Sequence, residues 1–286
     1  MTWQSKFRIQ RRVSKVGDYT LSIMLFADDI ILTAENESDL QNSLDILHRW
    51  CQSWNMKINA EKTKIIHFRG PSKTPTDAIF RCGREILSRT DKYKYLGLWL
   101  TEHLDLNYMA KEVAKAAHRA LGLLTAKSKA YGGMPYKVYT HLYNSLVVPI
   151  ITYGAAIWGQ RDHSCINSVH NRACRFFLGV GKRTLNAAVQ GDMGWPLPWN
   201  LQWHCTIKLC CRLTCMEHTR VHHKIFKWAC ENKNKKNWIF PRTLDLEGRT
   251  AFPPTQASND IQASSANDSL CRTKARLVKS SSSIDH

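Results

Sequence analysis

The first hundred residues consist of short apolar runs separated by polar breaks. Two such runs, 21–26 and 30–33, flank the break Ala27-Asp28-Asp29, and their β-prone residues predict a hairpin. Because consecutive positions in both runs are apolar, we expect both faces of these strands to be covered, as in the middle of a packed sheet.

A helix should follow the hairpin, and further strands should follow the helix. Its apolar positions recur at helical spacing: Leu40, Leu44, Leu47, Cys51 and Trp54. Ser38 and Gln41 are spaced as a capping box for its first turn. Beyond it the pattern predicts a strand over 63–68, a hairpin over 79–86 and a strand over 93–100.

The apolar period becomes helical from about residue 104. Three stripes are spaced for helices: Met109, Val113, Ala116, Ala117, Ala120 and Leu124; then Val138, Leu142 and Leu146; then Ile166, Val169, Ala173, Phe176 and Phe177. Gly179 should end the third helix, and a later helix is predicted over 201–218.

The whole pattern predicts an α+β fold in four segments. Residues 1–103 carry the strands, residues 104–160 and 161–240 are helical, and residues 241–286 are disordered. The last segment contains one aromatic residue and several clustered serines. It can therefore bury too little apolar surface to offset the entropy of ordering.

Charge is distributed unevenly along the 286 residues. The net charge of +18 makes nucleic acid a natural partner, yet residues 16–48 contain no Lys or Arg and seven acidic residues. Such an island suits a divalent cation whose substrate phosphates are held by the basic surroundings; the alternative is an ordinary acidic helix face. Asp28 and Asp29 favour the cation, because adjacent carboxylates at a hairpin tip repel each other unless a cation lies between or above them.

Neither a membrane span nor a disulfide framework is predicted. The longest apolar stretch, 146–158, contains Pro149 and Gly154 and is shorter than the ~18–20 residues of a spanning helix. Ten cysteines without a secretory signal favour reduced thiols inside the cell, in the nucleus or the cytoplasm.

Histidines and cysteines cluster near residue 210, which suggests a zinc site as one hypothesis. Four of them, Cys211, Cys215, His218 and His222, would lie along one helix face. Spread over ~16 Å, they cannot surround one tetrahedral zinc ion. We interpret Trp203, Ile207 and Cys211 as a buried stripe instead.

Several short motifs occur in an order that is typical of one enzyme family. They are Phe26-Ala27-Asp28-Asp29, Asn59-x-x-Lys62-Thr63, Tyr95-Leu96-Gly97, Tyr153-Gly154 with Trp158, and Gly191-Asp192-Met193-Gly194-Trp195. Together they resemble the reverse transcriptases of non-LTR retrotransposons (LINE-like, jockey-type elements), over roughly residues 16–220. The resemblance implies a partial palm over 1–103 and a helical thumb over 104–160.

The resemblance also implies roles for individual residues. Asp28 would be the principal ligand of Mg²⁺, with Mn²⁺ as a possible substitute, and Asp29 the auxiliary ligand. Lys62 would face the departing pyrophosphate, although an exposed lysine at the start of a strand would look the same. Tyr95, Leu96 and Gly97 would belong to a primer-grip strand.

The implied partners are an RNA template and an RNA–DNA hybrid or DNA primer. The basic residues Lys111, Lys115 and Arg119 of the thumb would contact the nucleic-acid backbone.

Part of the family's site is not found in the sequence. The resemblance implies another metal-binding Asp and a glycine-containing motif before the FADD hairpin, and residues 1–25 resemble neither. We therefore expect the chain by itself not to polymerise DNA. The alternative hypothesis is a non-catalytic nucleic-acid-binding remnant.

Overall fold

The structure is a computed structural model that describes residues 14–16, 19–21 and 23–231. Only the backbone is described at residues 14–16, 19 and 20. The disorder predicted for residues 241–286 lies outside this range. Within it the fold is a mixture of small sheets followed by helices, which confirms the α+β prediction. None of the helices in these ranges is long and apolar enough to cross a membrane.

Nine strands in the described residues form four small sheets. They are β1 (Ser14–Val16), β2 (Tyr19–Leu21), β3 (Ile23–Phe26), β4 (Asp29–Leu32), β5 (Lys64–Ile65), β6 (Phe80–Cys82), β7 (Glu85–Arg89), β8 (Lys92–Tyr95) and β9 (Leu98–Thr101). β1–β2, β3–β4 and β8–β9 are antiparallel pairs, and the fourth sheet has the order β5-β7-β6, with β5 parallel to β7.

The first predicted hairpin is present, but its expected environment is wrong. β3 and β4 pair from Ile23↔Leu32 to Phe26↔Asp29. The side chains of Met24, Leu25 and Phe26 are 41%, 45% and 60% exposed. On β4 Asp29 is exposed and Ile30, Ile31 and Leu32 are only partly buried, so these strands lack the expected cover on both faces in the described part of the chain.

The helix after the hairpin, α1 (Glu37–Ser53), begins at a different cap from the predicted one. The Asn36 side chain accepts a hydrogen bond of 2.8 Å from the Asp39 N–H and donates one of 2.6 Å to the Asp39 carboxylate. Gln41 instead bridges to β6, where its amide bonds to both the N–H and the carbonyl of Arg81. The capping box of Ser38 and Gln41 is therefore wrong, since Gln41 is drawn to the edge of the sheet.

A small hydrophobic cluster lies between α1 and the strands that follow it. Its buried members are Leu44, Ile65, Phe80, Cys82 and Leu87. The β6–β7 hairpin that completes it overlaps the hairpin predicted over 79–86 and turns at Gly83, which has a positive φ of 63°. This cluster is the core of the strand-bearing part.

Eight further helices follow within the described residues. They are α2 (Leu106–Ala130), α3 (Tyr136–Leu146), α4 (Val148–Thr152), α5 (Ala155–Trp158), α6 (Ser164–Leu178), α7 (Asn186–Met193), α8 (Pro198–Thr214) and α9 (Val221–Glu231). Helices α2 to α7 share one large core that includes Met109, Val113 and Leu124 of the first predicted stripe and Ile166, Val169 and Ala173 of the third. Gly179 ends α6 in the left-handed conformation, as predicted.

The buried face of α3 differs by one residue from the predicted stripe. Val138 and Leu146 are 46% and 43% exposed, whereas Tyr139 and Tyr143 are buried. Both tyrosine rings stack on Trp195, with centroid distances of 6.0 and 4.3 Å. Aromatic stacking on Trp195 therefore sets the register of α3.

The histidine and cysteine cluster lies on α8, α9 and the turn between them. No group of three or more His, Cys, Asp or Glu side chains that could hold a metal ion occurs among the described residues. His218 Nδ1 and His223 Nε2 are 2.8 Å apart and pair with each other. Cys211 is exposed, so its predicted place in a buried stripe is wrong.

Candidate metal and nucleic-acid site

Asp28 and Asp29 lie at the tip of the β3–β4 hairpin. The pair Phe26↔Asp29 closes a two-residue turn formed by Ala27 and Asp28. Ala27 has a φ of 52°, a left-handed conformation that costs a residue with a Cβ roughly 1–2 kcal/mol. Both aspartates are exposed, and neither forms an ion pair with a Lys or Arg of the described residues.

The donor chemistry of this tip fits a hard divalent cation. Two adjacent carboxylates offer the oxygen ligands that Mg²⁺ and Mn²⁺ prefer. Within the described chain no further His, Cys, Asp or Glu joins them to make a group of three. The two adjacent aspartates are therefore the candidate ligands of a divalent cation at this hairpin tip.

The motif Asn59-x-x-Lys62-Thr63 forms a turn that places Lys62. The Asn59 side-chain oxygen accepts a hydrogen bond of 3.0 Å from the Lys62 N–H. The Asn59 backbone carbonyl accepts one of 2.7 Å from the Thr63 hydroxyl. Tyr93 of β8 then donates from its hydroxyl to the Lys62 carbonyl, at 3.1 Å. The asparagine thus shapes the turn and Tyr93 attaches it to the next hairpin.

Tyr95-Leu96-Gly97 is a turn, so the predicted continuous strand over 93–100 is wrong. β8 ends at Tyr95, β9 begins at Leu98, and the φ angles of Leu96 and Gly97 are 45° and 80°. Two successive residues with positive φ are the requirement of a type I′ hairpin turn.

Strand β8 interacts with two features of the site: the turn over residues 59–63, called the lysine turn, and the β3–β4 hairpin that carries Asp28 and Asp29. Burial raises the pKa of Tyr95, and the negative charge of Asp29 raises it further. Tyr93 and Tyr95, two residues apart, share one face of the strand. The backbone of Lys62 therefore contacts this face of β8 through Tyr93, and the charge of Asp29 acts on Tyr95 of the same face. The Lys62 ammonium itself makes no ion pair with either aspartate in the described structure.

The three basic residues predicted to contact a nucleic-acid backbone form a line on α2. Lys111, Lys115 and Arg119 are exposed and follow at intervals of four residues, which is ~6 Å along a helix axis. Lys115 forms an ion pair of 2.6 Å with Glu112, and this hydrogen bond and the carboxylate charge raise the pKa of Lys115.

A groove of about 440 Å³ joins this basic line to the turn of the β8–β9 hairpin. Gly97 and Lys94 line it from the hairpin, Arg119 from α2 and Tyr153 from the end of α4. Lys94 and Tyr153 were not predicted as site residues. The alternation of Lys92, Tyr93, Lys94 and Tyr95 could have identified Lys94, whereas nothing in the sequence indicates where the ring of Tyr153 lies.

Comparisons with known proteins agree with these motifs. The family model of reverse transcriptase (RNA-dependent DNA polymerase) matches residues 4–100. The chain is similar to the probable RNA-directed DNA polymerase from transposon BS of Drosophila melanogaster, with 29% identity over 52% of the chain and 18% of the relative. It is also similar to the RNA-directed DNA polymerase from mobile element jockey of the same organism, with 23% identity over 55% of the chain and 18% of the relative.

A third relative comes from Bradysia coprophila. It is the retrovirus-related Pol polyprotein from type-1 retrotransposable element R1, with 24% identity over 63% of the chain and 19% of the relative. The chain thus spans about a fifth of the length of these curated relatives. No solved structure matches the chain significantly.

The FADD hairpin and the strands that follow it lie inside the matched range, and the similarity to retrotransposon proteins extends over about half of the chain. Residues 4–100 thus match the reverse-transcriptase family model, and about half of the chain is similar to the RNA-directed DNA polymerases of non-LTR retrotransposons.

Proposed function

We propose that this chain provides the metal-binding hairpin and the primer-holding surface of an RNA-directed DNA polymerase. One observation carries the proposal: Tyr93 of β8 donates a hydrogen bond to the Lys62 carbonyl, and on the same face of β8 burial and the charge of Asp29 raise the pKa of Tyr95. Residues that are far apart in sequence, and that have related tasks in the resembling family, thereby act on the same strand.

Asp28 and Asp29 would hold a divalent cation, Mg²⁺ or, as a substitute, Mn²⁺. When bound, such a cation supplies positive charge that activates a primer 3′ hydroxyl and offsets the charge of the reacting phosphates. Lys62 would place its ammonium toward the pyrophosphate product. Tyr95 and the turn after it would support the primer end beside the carboxylates.

The line Lys111, Lys115 and Arg119 would neutralise phosphates of an RNA–DNA hybrid without reading its sequence. Its ~6 Å steps are close to the separation of successive phosphates along a strand. In this proposal residues 1–103 act as the palm, 104–160 as the thumb and 161–240 as a helical segment that supports the thumb.

Metal binding is the direct test of the aspartates. EPR measures the binding of Mn²⁺ to the full chain. In Asp28→Asn the affinity for Mn²⁺ should fall by roughly tenfold or more, because one of two adjacent ligands is lost. Asp77→Asn is the matched control, since Asp77 is exposed and lies outside the hairpin. Equal binding by Asp28→Asn and the parent chain would contradict the metal assignment.

Hybrid binding is the test of the basic line. Replacing Lys111, Lys115 and Arg119 together by Glu should reduce the slope of log Kd against log salt by about 2–3, because about three released counterions are lost. Replacing the exposed residues Lys57, Lys73 and Arg84 by Glu changes the net charge equally and should reduce the slope far less. An equal reduction of the salt slope in both triple variants would show that the hybrid is bound by net charge and not by the surface around α2.

A non-catalytic nucleic-acid-binding protein is the second candidate function. It is favoured by the small number of carboxylates, since only two form the hairpin tip in the described residues. Under this alternative, hybrid binding depends on the basic line, while Asp28→Asn changes neither metal binding nor primer extension. Primer extension that is lost in Asp28→Asn would exclude it.

A further inference from the structure

Tyr153 connects the helical part of the chain to the turn of the β8–β9 hairpin. Its hydroxyl donates a hydrogen bond of 2.7 Å to the Leu96 carbonyl. Gly97 leaves room for the ring, because a Cβ at that position would lie 2.8 Å from Tyr153 Cε1. The side chain therefore holds the turn both by a hydrogen bond and by a close van der Waals contact.

The backbone at Tyr153 is itself anchored in the helical core. The indole N–H of Trp158 donates a hydrogen bond of 2.9 Å to the Tyr153 carbonyl, and Trp158 is only 1% exposed. Gly154, with a φ of 62°, turns the chain from α4 into α5 directly after Tyr153. The ring thus reaches from a fixed backbone to the hairpin.

The other hydrogen bond between the helices and this hairpin does not involve the turn. The Trp99 N–H bonds to Met109 Sδ at 3.2 Å, on strand β9. No other side chain in the described part of the chain donates to Leu96 or Gly97. Tyr153 therefore provides the hydrogen bond between the turn itself and the helical part, while Leu98 and Trp99 of β9 pack against the helical core.

We propose that Tyr153 is a positioning residue that holds the Leu96-Gly97 turn, and with it Tyr95 at the end of β8, in a fixed position against the helical part of the chain. The inference rests on the proposed function, because it gives Tyr153 a part in presenting the primer end to the carboxylates. Tyr153 acts through the hairpin and has no direct contact with the reacting groups.

The first test uses the chain without nucleic acid. With ¹³C-labelled tyrosine rings, NMR titration follows Tyr95, whose resonance is identified by its loss in Tyr95→Phe. Asp29→Asn should lower the pKa of Tyr95, because the carboxylate contributes to raising it. In the Tyr153→Phe background this decrease should be smaller, since Tyr95 is no longer held in a fixed position.

The control for this titration is Tyr131→Phe, which removes a hydroxyl from a side chain that is 76% exposed at the end of α2. It should leave the effect of Asp29→Asn unchanged. An equal decrease in the Tyr95 pKa in the parent and Tyr153→Phe backgrounds would overturn the inference. The absence of any decrease in the parent chain would overturn it as well.

The second test uses an RNA–DNA hybrid with 4-thiothymidine at the recessed DNA 3′ end. Tyr153→Phe should leave the Kd nearly unchanged, because the basic line of α2 is intact, while cross-linking of the 3′ end to residues 92–101 falls. Gly97→Ala, which crowds the same contact from the side of the hairpin, should likewise lower this cross-linking. The variant that combines Tyr153→Phe with Gly97→Ala should cross-link as much as Gly97→Ala alone, because both substitutions disrupt the same interaction.

Loss of hybrid affinity in proportion to loss of cross-linking would contradict a positioning role and indicate a general structural one. A parent chain that does not bind the hybrid would contradict the proposed function alone. In that case the titration of Tyr95 still decides whether Tyr153 positions the hairpin.

Discussion

At the residue scale, one ionisable side chain, His170, is buried on α6. It is 1% exposed, its Nδ1 lies 3.1 Å from the Tyr143 hydroxyl, and its Nε2 has no partner among the described residues. Burial lowers its pKa to about 4. The folded chain therefore holds a neutral imidazole where the unfolded chain binds a proton with a pKa of about 6.5.

The pH dependence of stability follows from this difference. Above pH 6.5 both states are neutral at His170 and the free energy of unfolding does not depend on it. Between pH 6.5 and about 4 the unfolded state binds the additional proton, so stability falls with decreasing pH by roughly 3 kcal/mol in total. Urea unfolding at a series of pH values measures the decrease.

His170→Gln should be less stable at neutral pH but should lose most of this pH dependence. His141→Gln, on the exposed face of α3, is the matched control and should retain the pH dependence. If His170→Gln and the parent chain show the same slope between pH 6.5 and 4, another group is responsible.

Residue-level chemistry was the most predictable part of the site. Asp28 and Asp29 stand out in the sequence because two carboxylates in a tight turn require an explanation. Lys62, Tyr95 and Arg119 could be named from motifs and charge, but their mutual arrangement could not. Tyr153 acts on Leu96 from 57 positions away, and no local pattern encodes such a contact.

At the element scale, the first turn of α1 can be used to distinguish the predicted capping box at Ser38 from the observed cap at Asn36. Asn36→Ala should destabilise the chain by about 1 kcal/mol, because the Asp39 N–H loses its side-chain acceptor. Ser38→Ala is the matched control and should have almost no effect, since Ser38 lies inside the helix and is exposed. Thermal unfolding of both variants measures the difference, and a larger loss in Ser38→Ala would favour the capping box.

The elements also show why a periodic pattern predicts some surfaces and not others. The stripe of α6 was correct because Ile166, Val169 and Ala173 have one compatible buried face. On α3 two stripes one residue apart are both apolar, and the position of Trp195, 52 residues beyond Tyr143, selects the tyrosines. The turn at Leu96 was missed because a leucine with positive φ is rare and gives no turn signal.

At the scale of the whole described chain, the candidate site is divided between two cores of unequal size. The carboxylates and the lysine turn belong to the strand-bearing part, whose cluster has five buried residues. The basic line belongs to the helices, whose cluster has twenty. Because stability scales with buried apolar surface, the strand-bearing part should open at a lower free energy than the helices.

Native-state hydrogen exchange tests this difference in local stability. In the parent chain the amides around Leu87 should exchange with a lower opening free energy than those around Leu121 and Val169. Phe80→Ala removes the largest side chain of the small cluster and should cost about 3–5 kcal/mol there. Protection should then be lost over β6 and β7 while the amides of α2 and α6 retain theirs.

Ile79→Ala is the control for this experiment, because Ile79 adjoins Phe80 but is 68% exposed and should change protection little. If Phe80→Ala lowers protection equally at Leu87 and Val169, the two cores unfold as one cooperative unit. If only Leu87 is affected, the carboxylate hairpin and the basic line are carried by parts that open independently. The contact between Tyr153 and Leu96 would then be a main restraint on their separation, since it is one of the few hydrogen bonds that join the two parts.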